Sequence, residues 1–252
     1  MKIIQVLILM LLCLDFQSVN ANSTYDWGDT LHVWATSGLN MREGPRTDFP
    51  KMKKLEYGDK VQVIDDYLRS TPLSITVIKK SKKSAAFVMK GHWVRVIIGN
   101  QEGYVFDGYL SRLPVLKNKK DEIGGGFWSE SFNEYAKREF GISYFEKDSN
   151  RIKEMHTHIK YDNGFEWKEF GEKCYDMNLE LNSLSFNESY LLYNHMGKFE
   201  QNLKRNDRSE NLEFRIQKDK DGIYSFHYFT SAGGIYLVWE NGKFIIKEEA
   251  CC

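Results

Sequence analysis

This sequence of 252 residues is poor in proline and cysteine, with four of each, and it has one long apolar run. Because aromatic residues make up 14% of the chain, its composition is unlike that of a disordered protein. Basic and acidic residues are equal in number, 35 each, which does not favour a nucleic-acid-binding protein. The glycine triplet at residues 124–126 lacks the flanking strand and the Lys-Ser/Thr pair of a phosphate-binding loop. We therefore expect a globular protein without a cofactor.

The long apolar run lies at the N-terminus and has the pattern of an export signal. Lys2 supplies the positive end, residues 3–14 form the apolar segment, and small or modest residues precede a cleavage position after Ala21. The run is shorter than the roughly 20 residues that cross a bilayer, and no second run follows it. A lipoprotein signal at Cys13 is disfavoured, because Leu12 stands where such signals carry a small residue. The prediction is a signal peptide over residues 1–21 and a mature chain without a transmembrane segment, periplasmic or extracellular.

Three cysteines remain after the predicted cleavage: Cys174, Cys251 and Cys252. An exported protein that relies on disulfides usually has more of them, in even number. Adjacent cysteines pair poorly with each other, which leaves a bridge from one of the terminal pair to Cys174 as an alternative. We expect a frayed C-terminal tail and a fold that does not depend on a disulfide.

The mature chain of about 230 residues is long enough for two domains, each with its own core. Charge differs between its halves. Residues 30–114 hold 14 lysines and arginines against 8 acidic residues, a net charge of +6, whereas residues 115–252 hold 20 against 24, a net charge of −4. This asymmetry either orients the domains toward each other or directs them to separate partners.

Five short motifs built on glycine, valine and aromatic residues follow one another in the first half. They are Gly38-Leu39-Asn40-Met41-Arg42-Glu43-Gly44-Pro45, Gly58-Asp59-Lys60-Val61-Gln62-Val63, Trp93-Val94-Arg95-Val96, Gly103-Tyr104-Val105 and Tyr109-Leu110. Their order resembles that of the bacterial SH3 domain (SH3b). The resemblance implies a small SH3-like β-barrel over residues 30–114, and many short alternating strands separated by turns are typical of such a barrel. It also implies a module that binds cell-wall peptides or serves in targeting.

The sequence departs from the family pattern between the second and third motifs, where residues 66–90 are inserted. The part from Leu73 to Ile78 has strand propensity and predicts a lengthened hairpin. Four lysines would lie at its tip: Lys79, Lys80, Lys82 and Lys83. A cationic finger that meets an anionic polymer or membrane is one interpretation. A solvated hairpin end is favoured, because lysine commonly protects exposed strands.

Aromatic and polar residues of the motifs are the candidate ligand contacts, since binding sites combine aromatic side chains with a few polar groups. They are Asn40, Arg42, Trp93, Tyr104 and Tyr109. For Trp93 a core position is favoured, because a small barrel needs large buried side chains. Asn40 and Arg42 match the family opening, where fixing the loop backbone is an equal alternative to ligand contact.

Residues 115–126 predict a linker, because charged residues there are followed by the glycine triplet. Residues 127–252 predict an α+β domain with an antiparallel sheet. Ser131 and Glu134 have the spacing of a capping box for a helix that ends at Gly141. A second helix from Glu188 to Met196 and several hairpins follow, and strands outnumber helices. The whole chain is thus predicted to be mainly β.

Three kinds of chemistry in the second domain deserve comparison. One face of a predicted strand carries three possible metal ligands, Glu154, His156 and His158. No fourth ligand is evident, so an ordinary polar strand face is favoured. Cys174 precedes a strand, whereas a cysteine peptidase needs its thiolate at a helix N-terminus. A glycan hydrolase needs a defined pair of carboxylates, and nothing in the sequence selects one. We therefore expect neither catalytic nor metal-binding residues.

The expected function is that of an exported, non-enzymatic protein whose SH3b-like domain recognises a peptide or glycan of the cell envelope. One alternative is a divergent wall hydrolase with its site in the second domain. A structural or protein-interaction component of the envelope is the other. The sequence assigns no role to the second domain.

Overall fold

The computed structural model describes residues 25–64, 72–80, 85–120, 127–148, 156–171, 174–197, 213–218, 224–230 and 233–251. The predicted leader lies outside these ranges, as do Lys82 and Lys83. In the first half the elements are β1 (Thr30–Val33), β2 (Leu39–Arg42), β3 (Lys51–Leu55), β4 (Lys60–Val63), β5 (Pro72–Ile78), β6 (Phe87–Ile98), β7 (Gln101–Phe106), a 3-10 turn (Asp107–Tyr109) and β8 (Leu110–Ser111).

These strands form one antiparallel sheet in the order β3-β2-β7-β6-β4-β1-β8. The alternation predicted from sequence is present, because Leu39 and Met41 are buried while Asn40 is exposed. The expected closure of the barrel is wrong for the described strands, since the sheet ends at β3 and β8 without a bond between them. Closure needs two strands with free edges of matching length, and β8 is only two residues long before the chain leaves for the second half.

The predicted hairpin in the inserted segment is present, and it extends the longest strand of the first half. β5 pairs only with the N-terminal part of β6, from Pro72 opposite His92 to Ile78 opposite Phe87. The sequence indicated that a strand begins at Gly91. Strand β6 instead begins at Phe87 and continues through Gly91. The start of β6 projects beyond the SH3-like sheet.

The described residues of the second half form two helices and two further sets of strands. They are β9 (Asn118–Lys120), β10 (Phe127–Ser129), α1 (Phe132–Phe140), β11 (Ile142–Asp148), β12 (His156–Tyr161), β13 (Glu166–Phe170), β14 (Cys174–Leu181), α2 (Phe186–Gly197), β15 (Glu213–Lys218), β16 (Tyr224–Thr230), β17 (Gly233–Glu240) and β18 (Lys243–Cys251). Eight of these strands form a second antiparallel sheet in the order β11-β12-β13-β14-β18-β17-β16-β15. The predicted mainly β, α+β class is confirmed. The expected frayed tail is wrong, because β18 runs to Cys251.

Both predicted helix starts carry the capping chemistry that their sequences indicated. The Ser131 hydroxyl accepts a hydrogen bond from the Glu134 backbone N–H, and the Glu134 carboxylate accepts from the Ser131 N–H. Ser185 and Glu188 exchange the equivalent bonds at the start of α2. Within the described ranges no helix is long and apolar enough to cross a membrane.

The linker region is partly ordered against the second half. Residues 118–120 of β9 pair with 127–129 of β10, and the glycine triplet between them lies outside the described residues. Leu116 is buried, and the Tyr135 hydroxyl of α1 donates to the Pro114 carbonyl oxygen at 2.8 Å. The connection is therefore packed on both sides of the glycines.

The two halves share one hydrophobic core. Phe87, at the projecting start of β6, is fully buried, with its ring 4.6 Å from Tyr190 of α2 and 5.0 Å from Phe226 of β16. Aromatic pairs at these centroid separations contribute about 0.5–1.5 kcal/mol beyond their buried area. The inserted hairpin thus anchors the first half to the second.

Candidate functional site

The described surface has an open depression of about 520 Å³ on the first sheet. Strands β3, β6 and β7 and the loop after β2 contribute its lining: Glu43, Met52, Arg95, Glu102, Gly103 and Tyr104. We call this depression the β3–β7 groove. It combines one flexible apolar side chain, one aromatic ring and charges of both signs.

A β-bulge places Met52 in the groove. Met41 pairs with Lys53 and Arg42 pairs with Lys51, so Met52 is the extra residue of β3. A bulge bends its strand and redirects a side chain, often beside a binding site. Met52 is 44% exposed, and its unbranched thioether adapts to irregular surfaces.

Gly103 allows β7 to approach β2 closely enough to form the groove floor. A Cβ atom on Gly103 would lie 2.7 Å from Met41 Cγ and 2.9 Å from the Arg42 carbonyl oxygen. Only glycine fits this gap without moving β2. The same approach puts Tyr104 directly opposite Arg42 in the ladder.

Arg42 holds the loop that borders the groove. Its guanidinium donates a hydrogen bond of 2.6 Å to the Phe49 carbonyl oxygen. The Phe49 ring lies over Gly44, where a Cβ atom would be 2.7 Å from three ring carbons. A side chain at residue 44 would displace the Phe49 ring. The bond from Arg42 to Phe49 is the loop-fixing contact that the sequence left as an alternative.

Arg95 and Glu102 provide the charges of the groove and form an ion pair at 2.6 Å. Their side chains are 45% and 46% exposed, so the pair contributes little to stability. Such a pair exchanges partners readily. Arg95 is free to meet a ligand carboxylate, while Glu102 and the exposed Glu43 are placed to meet an ammonium group.

Only part of the predicted ligand set lies at the groove. Tyr104 lines it and Arg42 adjoins it, while Asn40 is exposed two residues away on β2. Trp93 is 5% exposed and therefore presents little surface. Tyr109 is half-buried with its ring edge-on to Phe106, outside the groove lining.

The predicted basic tip is described only in part. Lys79 and Lys80 follow β5 and are exposed, which fits both interpretations of that segment. Lys82 and Lys83 lie outside the described residues. Neither described lysine reaches the groove lining.

Of the residues that line the groove, Tyr104 alone was predicted from the sequence as a candidate ligand contact. Glu43, Arg95 and Gly103 belong to the motifs but were not predicted to be contacts. Met52 and Glu102 lie outside the motifs, and the bulge at Met52 has no sequence signal. The turn at Gly99-Asn100 did contain usable information. A two-residue turn at these positions pairs Ile98 with Gln101. The same register places Arg95 and Glu102 diagonally across from each other on β6 and β7.

Asp107 is the most perturbed described carboxyl group. It is fully buried in the 3-10 turn, and burial raises its pKa to about 8, although it accepts a 2.7 Å hydrogen bond from the His92 backbone N–H. The His92 ring lies 3.8 Å from the carboxylate, and burial lowers the pKa of that imidazole. No part of Asp107 reaches solvent, and the pair lies outside the groove lining.

The strand proposed for metal ligands forms part of the second sheet. Glu154 lies outside the described residues, and His158 bonds to Glu166 at 3.1 Å. Partial burial raises the pKa of Glu166, but hydrogen bonds from His158 and Lys168 outweigh it and hold that pKa at about 2. Among the residues that the structure describes, no group of three histidine, cysteine or acidic side chains is placed to hold a metal ion.

Comparison with known proteins identifies one segment of the chain. Residues 37–111 match the family model of the bacterial SH3 domain, within the range that the five motifs indicated. Searches of curated proteins and of solved structures gave no match. The matched segment contains every residue that lines the groove.

Proposed function

We propose that this chain, whose residues 37–111 are a bacterial SH3 domain, is an exported, non-enzymatic protein that binds a cell-wall component through the β3–β7 groove. Domains of this family commonly serve as cell-wall binding modules. The proposal combines that general role with a specific surface. The preferred ligand is a wall peptide, whose free carboxylates and amines complement Arg95 and Glu102.

The accessibility of the groove in the full chain is the observation that carries the proposal. In the full chain Met52 is 44% exposed, and the side chains of Arg95 and Glu102 are 45% and 46% exposed. The domain contacts use other residues, including Phe87 and Ser111. A site that remains open after the domains pack is available to a large insoluble ligand.

The second half supports the SH3 domain through polar contacts as well as through Phe87. Glu188 of α2 is buried and accepts hydrogen bonds from the Ser111 hydroxyl at 3.0 Å and from the Arg112 backbone N–H at 3.1 Å. Asn187 donates to the Lys90 carbonyl oxygen at 2.8 Å. We infer that this half orients the groove, which lowers the entropy cost of binding.

The non-enzymatic part of the proposal is supported by the location of Cys174. It begins strand β14, whereas the peptidase alternative requires a nucleophile at a helix N-terminus. A turbidity assay on a suspension of purified wall sacculi tests this directly. We expect no clearing, and clearing that a thiol-blocking reagent or a chelator abolishes would favour the hydrolase.

Co-sedimentation of the full chain with purified wall sacculi tests the binding function. Arg95→Gln should weaken binding about five- to tenfold, because loss of a central charged contact typically costs 1 kcal/mol or more. Lys60→Gln is the matched control, since it removes one exposed positive charge from the same domain outside the groove.

The two variants separate recognition from general electrostatic attraction. If both weaken binding equally, the basic charge of the domain and not the groove is responsible. If neither changes the bound fraction while the unmodified chain binds, the site lies elsewhere. If the unmodified chain does not sediment with sacculi, the proposed function is wrong.

A further inference from the structure

One edge of the second sheet is an exposed strand. Strand β11 is the last strand on its side of that sheet, and within the described ranges it pairs with β12 alone. The side chains of residues 142–147 are all exposed. Three of them are large and apolar: Ile142, Tyr144 and Phe145 are 39%, 42% and 59% exposed. An edge with unpaired backbone groups and apolar side chains is a template for a further strand.

Three other edge strands of the described sheets carry features that discourage such pairing. Strand β3 has a bulge and exposed lysines at positions 51, 53 and 54. Strand β8 is only two residues long, and β15 exposes Arg215 and Lys218. Charged side chains, bulges and short length all protect a sheet edge. Strand β11 has a bulge only at its start, and its ladder is regular from Tyr144 onward.

The backbone polar groups of Phe145 point away from the sheet. The Tyr161 N–H donates to the Phe165 carbonyl oxygen across the β12–β13 turn at 3.0 Å, so the polar groups of Tyr161 face β13. These groups alternate in direction along an antiparallel strand, so those of Lys160 face β11. Tyr144 lies opposite Lys160 and therefore directs its own groups to β12. The next residue, Phe145, presents its N–H and its carbonyl oxygen at the outer edge.

We propose that two copies of this chain associate by pairing their β11 strands, antiparallel, about a two-fold axis at Phe145. The two Phe145 residues then exchange N–H to carbonyl hydrogen bonds, as directly opposite residues of a hydrogen-bonded pair do. Their exposed rings lie on the same face and pack together. The contact is closed, because the same patch of both copies is used. The inference is independent of the groove and its ligand.

The side chains of β11 are self-complementary in this register. Tyr144 of each copy lies opposite Glu146 of the other. The Tyr144 hydroxyl already donates to Glu146 of its own chain at 2.6 Å, and the two-fold contact offers it a second carboxylate acceptor. A slip of two residues one way would set Glu146 against Glu146, and like charges directly opposite destabilise a ladder. A slip the other way would centre the pair beside the bulge at Ser143, where the strand is irregular.

Sedimentation equilibrium of the purified mature chain, from micromolar to submillimolar concentration, tests the proposal. One strand pair is smaller than the roughly 1,200 Å² of a stable interface, so we expect a dimer that dissociates on dilution. Tyr144→Glu should weaken the dimer about tenfold, because the two-fold axis creates two like-charge pairs with Glu146. Tyr144→Lys is the matched control. It removes the same ring but introduces the opposite charge, and its dissociation constant should stay within about threefold of that of the unmodified chain.

The double variant Tyr144→Glu/Glu146→Lys should restore the dimer, because opposite charges again face each other across the axis. Only monomers throughout the concentration range, or species larger than a dimer, would overturn the proposal. Equal weakening by the two single variants would also overturn it, since residue 144 would then not lie opposite Glu146. Thermal unfolding at the lowest concentration shows whether each variant is folded. If Tyr144→Glu alone fails to fold, the double variant decides, and a folded but monomeric double variant would overturn the proposal.

Discussion

At the scale of single residues, Asp107 illustrates how burial couples stability to pH. An aspartate in an unfolded chain has a pKa near 3.9, whereas burial raises the pKa of Asp107 to about 8. Between these values the folded protein keeps a proton that the unfolded chain has released. The free energy of unfolding therefore contains a contribution that is complete below about pH 4 and is lost as the pH rises toward 8.

Asp107→Asn should remove this dependence, because an amide is neutral throughout and its oxygen can still accept the His92 N–H. As the pH rises from 5 to 8, the free energy of unfolding of the unmodified chain should fall by at least about 1 kcal/mol more than that of the variant. Urea unfolding of both proteins at the two pH values measures the difference. Parallel pH profiles would show that the carboxyl group is ionised in the folded state.

The groove could be predicted from sequence only in part, for reasons that differ between residues. Tyr104 and Arg42 belong to motifs whose strand alternation fixes their positions. Met52 reaches the groove through a bulge, which depends on how two strands meet. Trp93 was rightly favoured as a buried residue, and Tyr109 lies apart from the groove.

At the scale of elements, the β5–β6 hairpin connects the two halves. The sequence predicted the strand propensity of this hairpin. It could not predict what the hairpin packs against, because Phe87 contacts residues more than a hundred positions later. Strand β11 was missed for a different reason. Its described side chains, from Ile142 to Lys147, are all exposed, so no alternation of buried and exposed residues marks it. Alternation of apolar and polar residues identifies strands that have one buried face, and it does not identify strands that are exposed on both faces.

Phe87→Ala should destabilise the protein by about 3–5 kcal/mol, the usual cost of deleting a buried aromatic side chain. Val88→Ala is the control, since Val88 is only half-buried on the other side of the same strand. Urea unfolding followed by tryptophan fluorescence and by far-ultraviolet circular dichroism measures both variants. Equal midpoints for the two variants would contradict the anchoring role of Phe87.

At the scale of the whole molecule, one core and a few buried hydrogen bonds unite two halves of opposite net charge. The described contacts between them include aromatic packing around Phe87, hydrogen bonds to Glu188, and the His195 ring stacked on Tyr57. The lysines of β3, at positions 51, 53 and 54, remain exposed beside the groove. The charge asymmetry noted in the sequence thus leaves the basic surface of the first half available to a partner.

The central claim is that the full chain recognises a wall component at the β3–β7 groove. Nuclear magnetic resonance spectra of the isotope-labelled full chain, titrated with soluble peptide fragments of the wall, test it most directly. We predict that the shifted signals belong to the Met52 methyl group and to the backbone amides of Arg95, Glu102 and Tyr104. Shifts confined to residues of the second sheet, or no shifts at millimolar fragment concentration, would contradict the claim.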